Sequence, residues 1–225
     1  MTTVKPVIVF DVNETLSDMS PMGDRFSEVG APAALAKLWF ASLLRDGFAL
    51  TASRDNPSFA AIGSELLRGL LATVDLNCPI SAAVDHVMSG LSALGVHPDV
   101  PEGIKALGDA GYRLITLSNG SAGIAAKLFS QAGIRDQFES LLSVEDAPAW
   151  KPAPAAYNYA AAASGAEPAG MLLVAVHPWD IHGAARAGLR TAWLNRTGGS
   201  YPGHFEAPEF TVTALTQLPA ALAAA

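Results

Sequence analysis

The chain has 225 residues, half of them hydrophobic, with a net charge of −7 and one cysteine. This composition suits one large domain or a core with a smaller insertion. The acidic balance argues against a nucleic-acid partner, no apolar run is long enough to span a bilayer, and a lone cysteine excludes a disulfide framework. We expect no signal peptide, because the first apolar run is too short for one, and therefore a soluble cytoplasmic protein.

The first predicted element is Val7–Phe10, a continuous apolar run that is typical of a central strand in a parallel sheet. Asp11 follows at the carboxyl end of this strand, where open α/β sheets place their functional sites. An ionised carboxylate is costly in such a place unless other groups hold it. Asp11 is therefore the first candidate functional residue, and the alternative is a turn or N-cap aspartate.

The spacing of apolar residues then predicts helices over 31–50, 58–76 and 80–94, and no strand between 17 and 95. A run of helices placed after the first strand, before any further strand, indicates an insertion. We therefore predict an α-helical cap subdomain over 17–95.

From residue 100 strands and helices alternate, which predicts βαβ units and a parallel sheet. Right-handed crossovers bring the carboxyl ends of such strands to one edge, so Ser118, Lys151 and Asp180 are expected near Asp11. The predicted fold class is α/β, with a Rossmann-like parallel-sheet core over 1–16 and 96–225. The predicted strands are 112–117, 140–144, 171–176, 191–194 and 210–212, and the predicted helices are 102–110, 121–132, 153–164, 181–187 and a final C-terminal helix.

Four separated motifs extend over nearly the whole chain in a fixed order. They are F-D-V-N-E-T-L with Asp11, T-L-S-N with Ser118 and Asn119, K-P-A-P-A-A-Y with Lys151 and Tyr157, and H-P-W-D with Trp179 and Asp180. Together they resemble the haloacid dehalogenase superfamily, and within it the L-2-haloacid dehalogenase (type II) branch.

The resemblance implies that Asp11 is a nucleophile, which attacks the halogen-bearing carbon of a small acid and forms an ester that water then hydrolyses. Lys151 would lower the pKa of Asp11 and keep it ionised. Ser118 and Asn119 would hold a carboxylate oxygen of Asp11 or of the substrate. Asp180 would pair with Lys151 and orient the hydrolytic water.

Two further residues have roles that remain open. Thr15 is expected to hydrogen-bond the Asp11 loop, while Tyr157 could bind the substrate carboxylate, order Asp180 or only pack in the core. The polar pair of the second motif could simply cap the following helix, although Ser121 is better placed for that.

Two positions depart from the phosphatases of the superfamily. Asn13 stands where they carry a second aspartate as general acid and base, and an amide cannot exchange a proton in this way. Val176 stands where they carry a carboxylate for Mg²⁺, which prefers charged oxygen ligands. We therefore expect no metal and no cofactor, and we take Asn13 as a candidate substrate contact.

Two positions also depart from the dehalogenase branch. Phe40 follows Trp39, where the branch usually has an arginine that reaches the leaving halide, and His177 stands where it usually has an asparagine. A leaving halide needs hydrogen-bond donors. Phe40, His177 and Trp179 are candidate substrate-binding residues, and a compact pocket lined by them would suit a small substrate such as a fluorinated acetate. The other histidines show no ligand spacing and are expected to be structural or exposed: His86, His97, His182 and His204.

We therefore expect a metal-independent hydrolase that uses an aspartate nucleophile and a covalent ester to convert a small (S)-2-haloacid to the 2-hydroxy acid. The alternatives are a phosphatase of the superfamily with an atypical motif, and a catalytically weak or non-catalytic binding protein. The expected partner is a small anionic organic acid, with neither nucleic acid nor membrane, and the apolar surplus of the cap would allow a homodimer.

Overall fold

Within residues 5–224, which the computed structural model describes, six parallel strands form one sheet in the order β3-β2-β1-β4-β5-β6. Every residue of β1 is buried, as its unbroken apolar run predicts. Strands β2 and β3 lie on one side of β1 and strands β4 to β6 on the other, so the carboxyl end of β1 lies at a topological switch point. The strands are β1 (Val7–Phe10), β2 (Leu114–Ser118), β3 (Ser140–Ser143), β4 (Met171–Ala175), β5 (Arg190–Leu194) and β6 (Phe210–Val212).

Five α-helices lie between β1 and β2 in the sequence, and we call the first four, which end before residue 96, the cap helices. Trp39 and Gly63 hold two of them together, because the Trp39 indole Nε1 donates a hydrogen bond of 3.0 Å to the Gly63 carbonyl. Ser58 caps the third with its side chain, as serine commonly does. The cap helices are α1 (Met22–Glu28), α2 (Leu35–Ala52), α3 (Phe59–Leu71) and α4 (Ile80–Gly90).

The two linkers that join the cap helices to the sheet run side by side. Ser17 and Val96 form an antiparallel bridge, and the His97 amide donates to the Leu16 carbonyl at 3.0 Å. The boundaries predicted for cap and core stay a prediction, which this pairing supports. Residues 1–4 and 225 of the predicted core lie outside the described residues.

One of the remaining helices precedes β2 and each of the others follows a strand, and this alternation confirms the predicted α/β fold with a parallel sheet. Among residues 5–224 no helix is long and apolar enough to cross a membrane. These helices are α5 (Val100–Asp109), α6 (Ala122–Gln131), α7 (Pro154–Ser164), α8 (Pro178–Arg186) and α9 (Leu218–Ala223).

Several helices begin or end at residues other than those predicted. Helix α3 ends at Leu71, because the Thr73 hydroxyl donates to the Leu70 carbonyl and completes a tight turn. Helix α8 begins earlier than predicted, with Pro178 at its first position, where the missing N–H costs nothing. The predicted helices 31–50, 58–76, 80–94, 102–110 and 181–187 are in fact Leu35–Ala52, Phe59–Leu71, Ile80–Gly90, Val100–Asp109 and Pro178–Arg186.

Candidate active site

Asp11 lies directly after β1 at the switch point and is only 3% exposed. Both of its carboxylate oxygens have donors. The Lys151 ammonium donates to Oδ1 at 2.8 Å, and the Thr15 hydroxyl donates to Oδ2 at 2.6 Å. The Thr15 oxygen in turn accepts a hydrogen bond from the Val176 amide at 3.1 Å. The carboxylate is therefore fixed in one orientation, with its loop tied to the end of β4.

Lys151 lies between two carboxylates and is completely buried. Its ammonium donates to Asp11 and, at 2.6 Å, to Oδ2 of Asp180. The Tyr157 hydroxyl, one turn into α7, donates to the other Asp180 oxygen, Oδ1, at 2.6 Å. Of the predicted alternatives for Tyr157, the structure shows the contact with Asp180. The Tyr157 side chain is completely buried, and its predicted contact with the substrate stays a prediction.

The two carboxylates that share the Lys151 ammonium have pKa values shifted in opposite directions. Burial raises the pKa of Asp11, but attraction to Lys151, followed by His177 and Thr15, lowers it by more, so the net pKa lies below its ordinary value. Burial also raises the pKa of Asp180, and with repulsion from Asp11 it outweighs the attraction of Lys151. Asp11 is thus suited to stay ionised, and Asp180 to exchange a proton.

Asn119, which directly follows β2, binds the backbone of Lys151. The Asn119 side chain donates to the Lys151 carbonyl at 3.2 Å and accepts from the Lys151 amide at 3.0 Å. Both ends of this amide therefore contact the Lys151 backbone, and the expected contact of Asn119 with a carboxylate oxygen of Asp11 or of the substrate stays a prediction. Ser118 accepts from the Gly120 amide at 2.9 Å. Ser121 caps α6 by accepting from Gly123, as predicted.

An aromatic wall closes one side of Asp11. His177 stacks on Trp179 with ring centroids 5.0 Å apart, and Phe40 of the cap lies 6.4 Å from the histidine ring. His177 Nε2 lies 3.7 Å from Oδ2 of Asp11, and the Trp179 ring lies 6.0 Å from the Lys151 ammonium. The structure thus brings together Phe40, His177 and Trp179, the three residues expected from the sequence to line a compact pocket.

Two cavities adjoin this site. A small one of about 20 Å³ lies beside Asn13 and Ser118, and it is large enough for a single water molecule. A larger one of about 450 Å³ opens between the cap helices and the sheet, beside Phe40 and His177. The larger cavity provides a path from solvent to the aromatic wall.

Sequence reasoning missed Trp150, which directly precedes the buried lysine. Its ring stacks on Phe59 at 6.2 Å, and its Nε1 donates to the Pro57 carbonyl at 3.0 Å. Its ring also lies so close to Gly47 of α2 that a β-carbon there would come within 2.5 Å of it. An aromatic residue beside the lysine motif was the available signal. Trp150 links the cap helices to the segment that carries Lys151.

The positive charge between the two carboxylates comes from the protein itself. Lys151 contacts both Asp11 and Asp180 at hydrogen-bond distance. Among the described residues no group of three histidine, cysteine or carboxylate side chains is placed to hold a metal ion. The expectation that the reaction needs no metal stays a prediction.

The fold and the site together define a capped α/β hydrolase. More closely, the chain belongs to the haloacid dehalogenase-like hydrolase family, whose model matches residues 5–188. It is 30% identical over 212 residues to (S)-2-haloacid dehalogenase 4A of Burkholderia cepacia, covering 93% of this chain and 91% of that one. It is 29% identical over 207 residues to haloacetate dehalogenase H-2 of Moraxella sp. (strain B), covering 91% and 92%. A solved structure of a dehalogenase with intermediate complex superposes with a TM-score of 0.88, at 29% identity and 97% coverage of both chains.

Proposed function

We propose that the protein is a metal-independent hydrolase that removes halide from a small (S)-2-haloacid and yields the 2-hydroxy acid. The observation that carries this proposal is the buried Asp11 carboxylate, held at both oxygens and kept ionised by Lys151. A carboxylate is a weak nucleophile in water, and burial with fixed orientation makes it effective. The (S)-2-haloacid and haloacetate dehalogenases among its relatives support this substrate class.

In the first step an Asp11 oxygen attacks the carbon that bears the halogen. The new C–O bond forms as the carbon–halogen bond breaks, and the halide leaves with the electron pair. In the second step water adds to the ester carbonyl of Asp11 and gives one proton to Asp180. The bond between this carbonyl carbon and the product oxygen then breaks, the product alkoxide takes up that proton, and the second proton of water is released as the Asp11 carboxylate reforms.

The other residues bind and orient. Lys151 stabilises the ionised Asp11 before attack, and Thr15 fixes its second oxygen. Ser118 and Asn13 both line the small cavity, and they would contact the substrate carboxylate. Tyr157 fixes Asp180 for its exchange with water.

Around the leaving halide the aromatic wall stands where the dehalogenase branch usually has an arginine. Phe40 is buried and apolar, so the polar contact on this side falls to His177 and its neighbour Trp179. Such a wall leaves room for a small acid, and haloacetates, including fluoroacetate, are the substrates to test first.

A halide-release screen over fluoro-, chloro- and bromo-substituted short acids tests the proposal, with Asp11→Asn as the matched blank. We expect release from the (S)-enantiomers that EDTA does not change. In water enriched in ¹⁸O, the product of a single turnover with excess enzyme should carry oxygen from Asp11. Solvent ¹⁸O in the product of that first turnover would reject the ester route. Mg²⁺-dependent release of phosphate from p-nitrophenyl phosphate, without halide release, would favour a phosphatase.

Ligand binding without turnover by the wild-type protein would instead favour the non-catalytic alternative. Asp11→Asn helps to separate the two cases, since it should retain binding of the acid while losing turnover.

We also propose that a second copy of the chain covers the outer face of the cap. An apolar groove of about 680 Å³ runs between α2 and α3, and Leu38 on its rim is 53% exposed. Exposed apolar surface of this kind is typical of association sites. Light scattering should give the mass of a dimer, and Leu38→Asp should lower it. The cytoplasmic location stays a prediction.

A further inference from the structure

Three consecutive backbone carbonyls in the loop after Asp11 each accept a hydrogen bond from a basic side chain. The three donors come from different parts of the chain, so the loop is held from three directions. The contacts are His177 Nε2 to the Asn13 carbonyl at 3.2 Å, His97 Nε2 to the Glu14 carbonyl at 3.0 Å, and Arg196 Nη2 and Nε to the Thr15 carbonyl at 2.8 and 3.2 Å.

The loop needs such support because of its backbone conformation. Glu14 has a φ of 60°, in the left-handed region that side chains other than those of glycine, asparagine and aspartate seldom adopt. The turn is tight, since the amides of Leu16 and Ser17 both donate to the Val12 carbonyl, at 2.9 and 3.0 Å. Residues held in this way at a functional site commonly serve its geometry.

Arg196 makes the strongest of the three contacts. Its remaining nitrogen, Nη1, donates to Oδ1 of Asp99 at 2.9 Å, and Oδ2 of Asp99 accepts from the Leu215 amide at 2.6 Å. Burial raises the pKa of Asp99, but these two donors lower it by more, so the carboxylate stays charged. The Arg196 side chain is only 17% exposed. A partly buried ion pair thus fixes the guanidinium on the Thr15 carbonyl.

The same Thr15 places its hydroxyl on Asp11, 2.6 Å from Oδ2. We propose that Arg196, held by Asp99, is a positioning residue that orients the Thr15 hydroxyl and through it the Asp11 carboxylate for attack. This inference rests on the proposed function for its kinetic consequence. His97 extends the arrangement to the linker that returns from the cap, because its amide also donates to Leu16.

Arg196→Gln tests the role of the guanidinium, and Arg190→Gln is its matched control. Arg190 lies at the other end of β5 and pairs with exposed Glu209. We expect Arg196→Gln to lower kcat about 10- to 100-fold with little change in KM, since a small displacement of a reacting group has an effect of this size. Arg190→Gln should retain wild-type kinetics, and Arg196→Lys should recover part of the loss. Equal kcat values in Arg196→Gln and Arg190→Gln would overturn the proposal.

A double variant separates positioning from general support of the fold. If Arg196 acts through Thr15, then Arg196→Gln should cause little further loss of kcat in a Thr15→Val background. Losses that multiply in the double variant would contradict the inference. Wild-type protein that turns over no acid in the screen would count against the proposed function only.

Hydrogen exchange tests the same contact without any turnover. The amides of Leu16 and Ser17 should lose protection in Arg196→Gln but keep it in Arg190→Gln, with both variants folded by circular dichroism. Unchanged protection of these two amides in Arg196→Gln would overturn the inference whether or not the enzyme is active.

Discussion

Replacing Tyr157 with phenylalanine removes one hydroxyl and leaves the buried ring in place. Burial, followed by the charge of Asp180, raises the pKa of this hydroxyl well above 10, so it stays protonated and donates to Oδ1 at 2.6 Å. A hydrogen bond to a charged group contributes about 1.5–3 kcal/mol. For a chain of this size each kcal/mol shifts Tm by about 2–4 °C. We therefore expect Tyr157→Phe to lower Tm by about 3–12 °C.

Thermal unfolding followed by circular dichroism measures this shift, and Tyr159→Phe is the matched control two residues further along α7. Tyr159 is partly exposed, so its variant should unfold close to the wild-type temperature. Asp180 also loses one of the two side-chain contacts that orient it in Tyr157→Phe, so hydrolysis of the ester should slow about 10- to 100-fold and the ester should accumulate. A Tm no lower than that of Tyr159→Phe would refute the energetic reasoning.

Three further predictions follow from the same contacts. Asp11→Asn should lower halide release by about 10³-fold or more while the protein remains folded, which a halide electrode and circular dichroism would check. Because the folded pKa of Asp11 is lowered, the stability from its ionised form is complete above its ordinary value of 3.8 and is lost as pH falls through the folded value. Urea unfolding from about pH 3 to pH 6 should show this slope in the wild type and a smaller slope in Asp11→Asn, where Asp99 and other carboxylates with lowered pKa still contribute. Gly47→Ala should destabilise the protein by about 1–3 kcal/mol, because its methyl group would overlap Trp150. Gly69→Ala, on an open face of α3, should instead raise the free energy of unfolding by about 0.5–1 kcal/mol, and an equal loss in both variants would contradict the packing argument.

The sequence predicted the central sheet and the meeting of Asp11, Lys151 and Asp180 because both follow from local patterns and topology. An unbroken apolar run marks a buried parallel strand, and the crossover rule brings the strand ends to one edge. The four motifs then supplied the residue types for each strand end. Distances of 2.8 and 2.6 Å from the Lys151 ammonium agree with the pairing that was expected.

The remaining features have no clear local signal in the sequence, and two of them depend on contacts between distant parts of the chain. Helix α1 has seven residues, too few for a clear helical period. The Asn119 amide hydrogen-bonds to the Lys151 backbone, and this contact depends on the conformation of a loop far along the chain. Arg196 follows the fifth strand without any motif, and its contact with Thr15 spans 181 positions. Such long-range side-chain contacts leave no periodic signal.

The single ammonium between two acids has a consequence for the order of events. At rest Lys151 divides its attraction between Asp11 and Asp180, which also repel each other. In the proposed reaction Asp11 carries no charge once it is esterified, so its repulsion of Asp180 would end and Lys151 would have one anionic neighbour. Esterification would therefore lower the pKa of Asp180, and Lys151 and Asp180 would form a balanced ion pair with Asp180 ionised when water arrives.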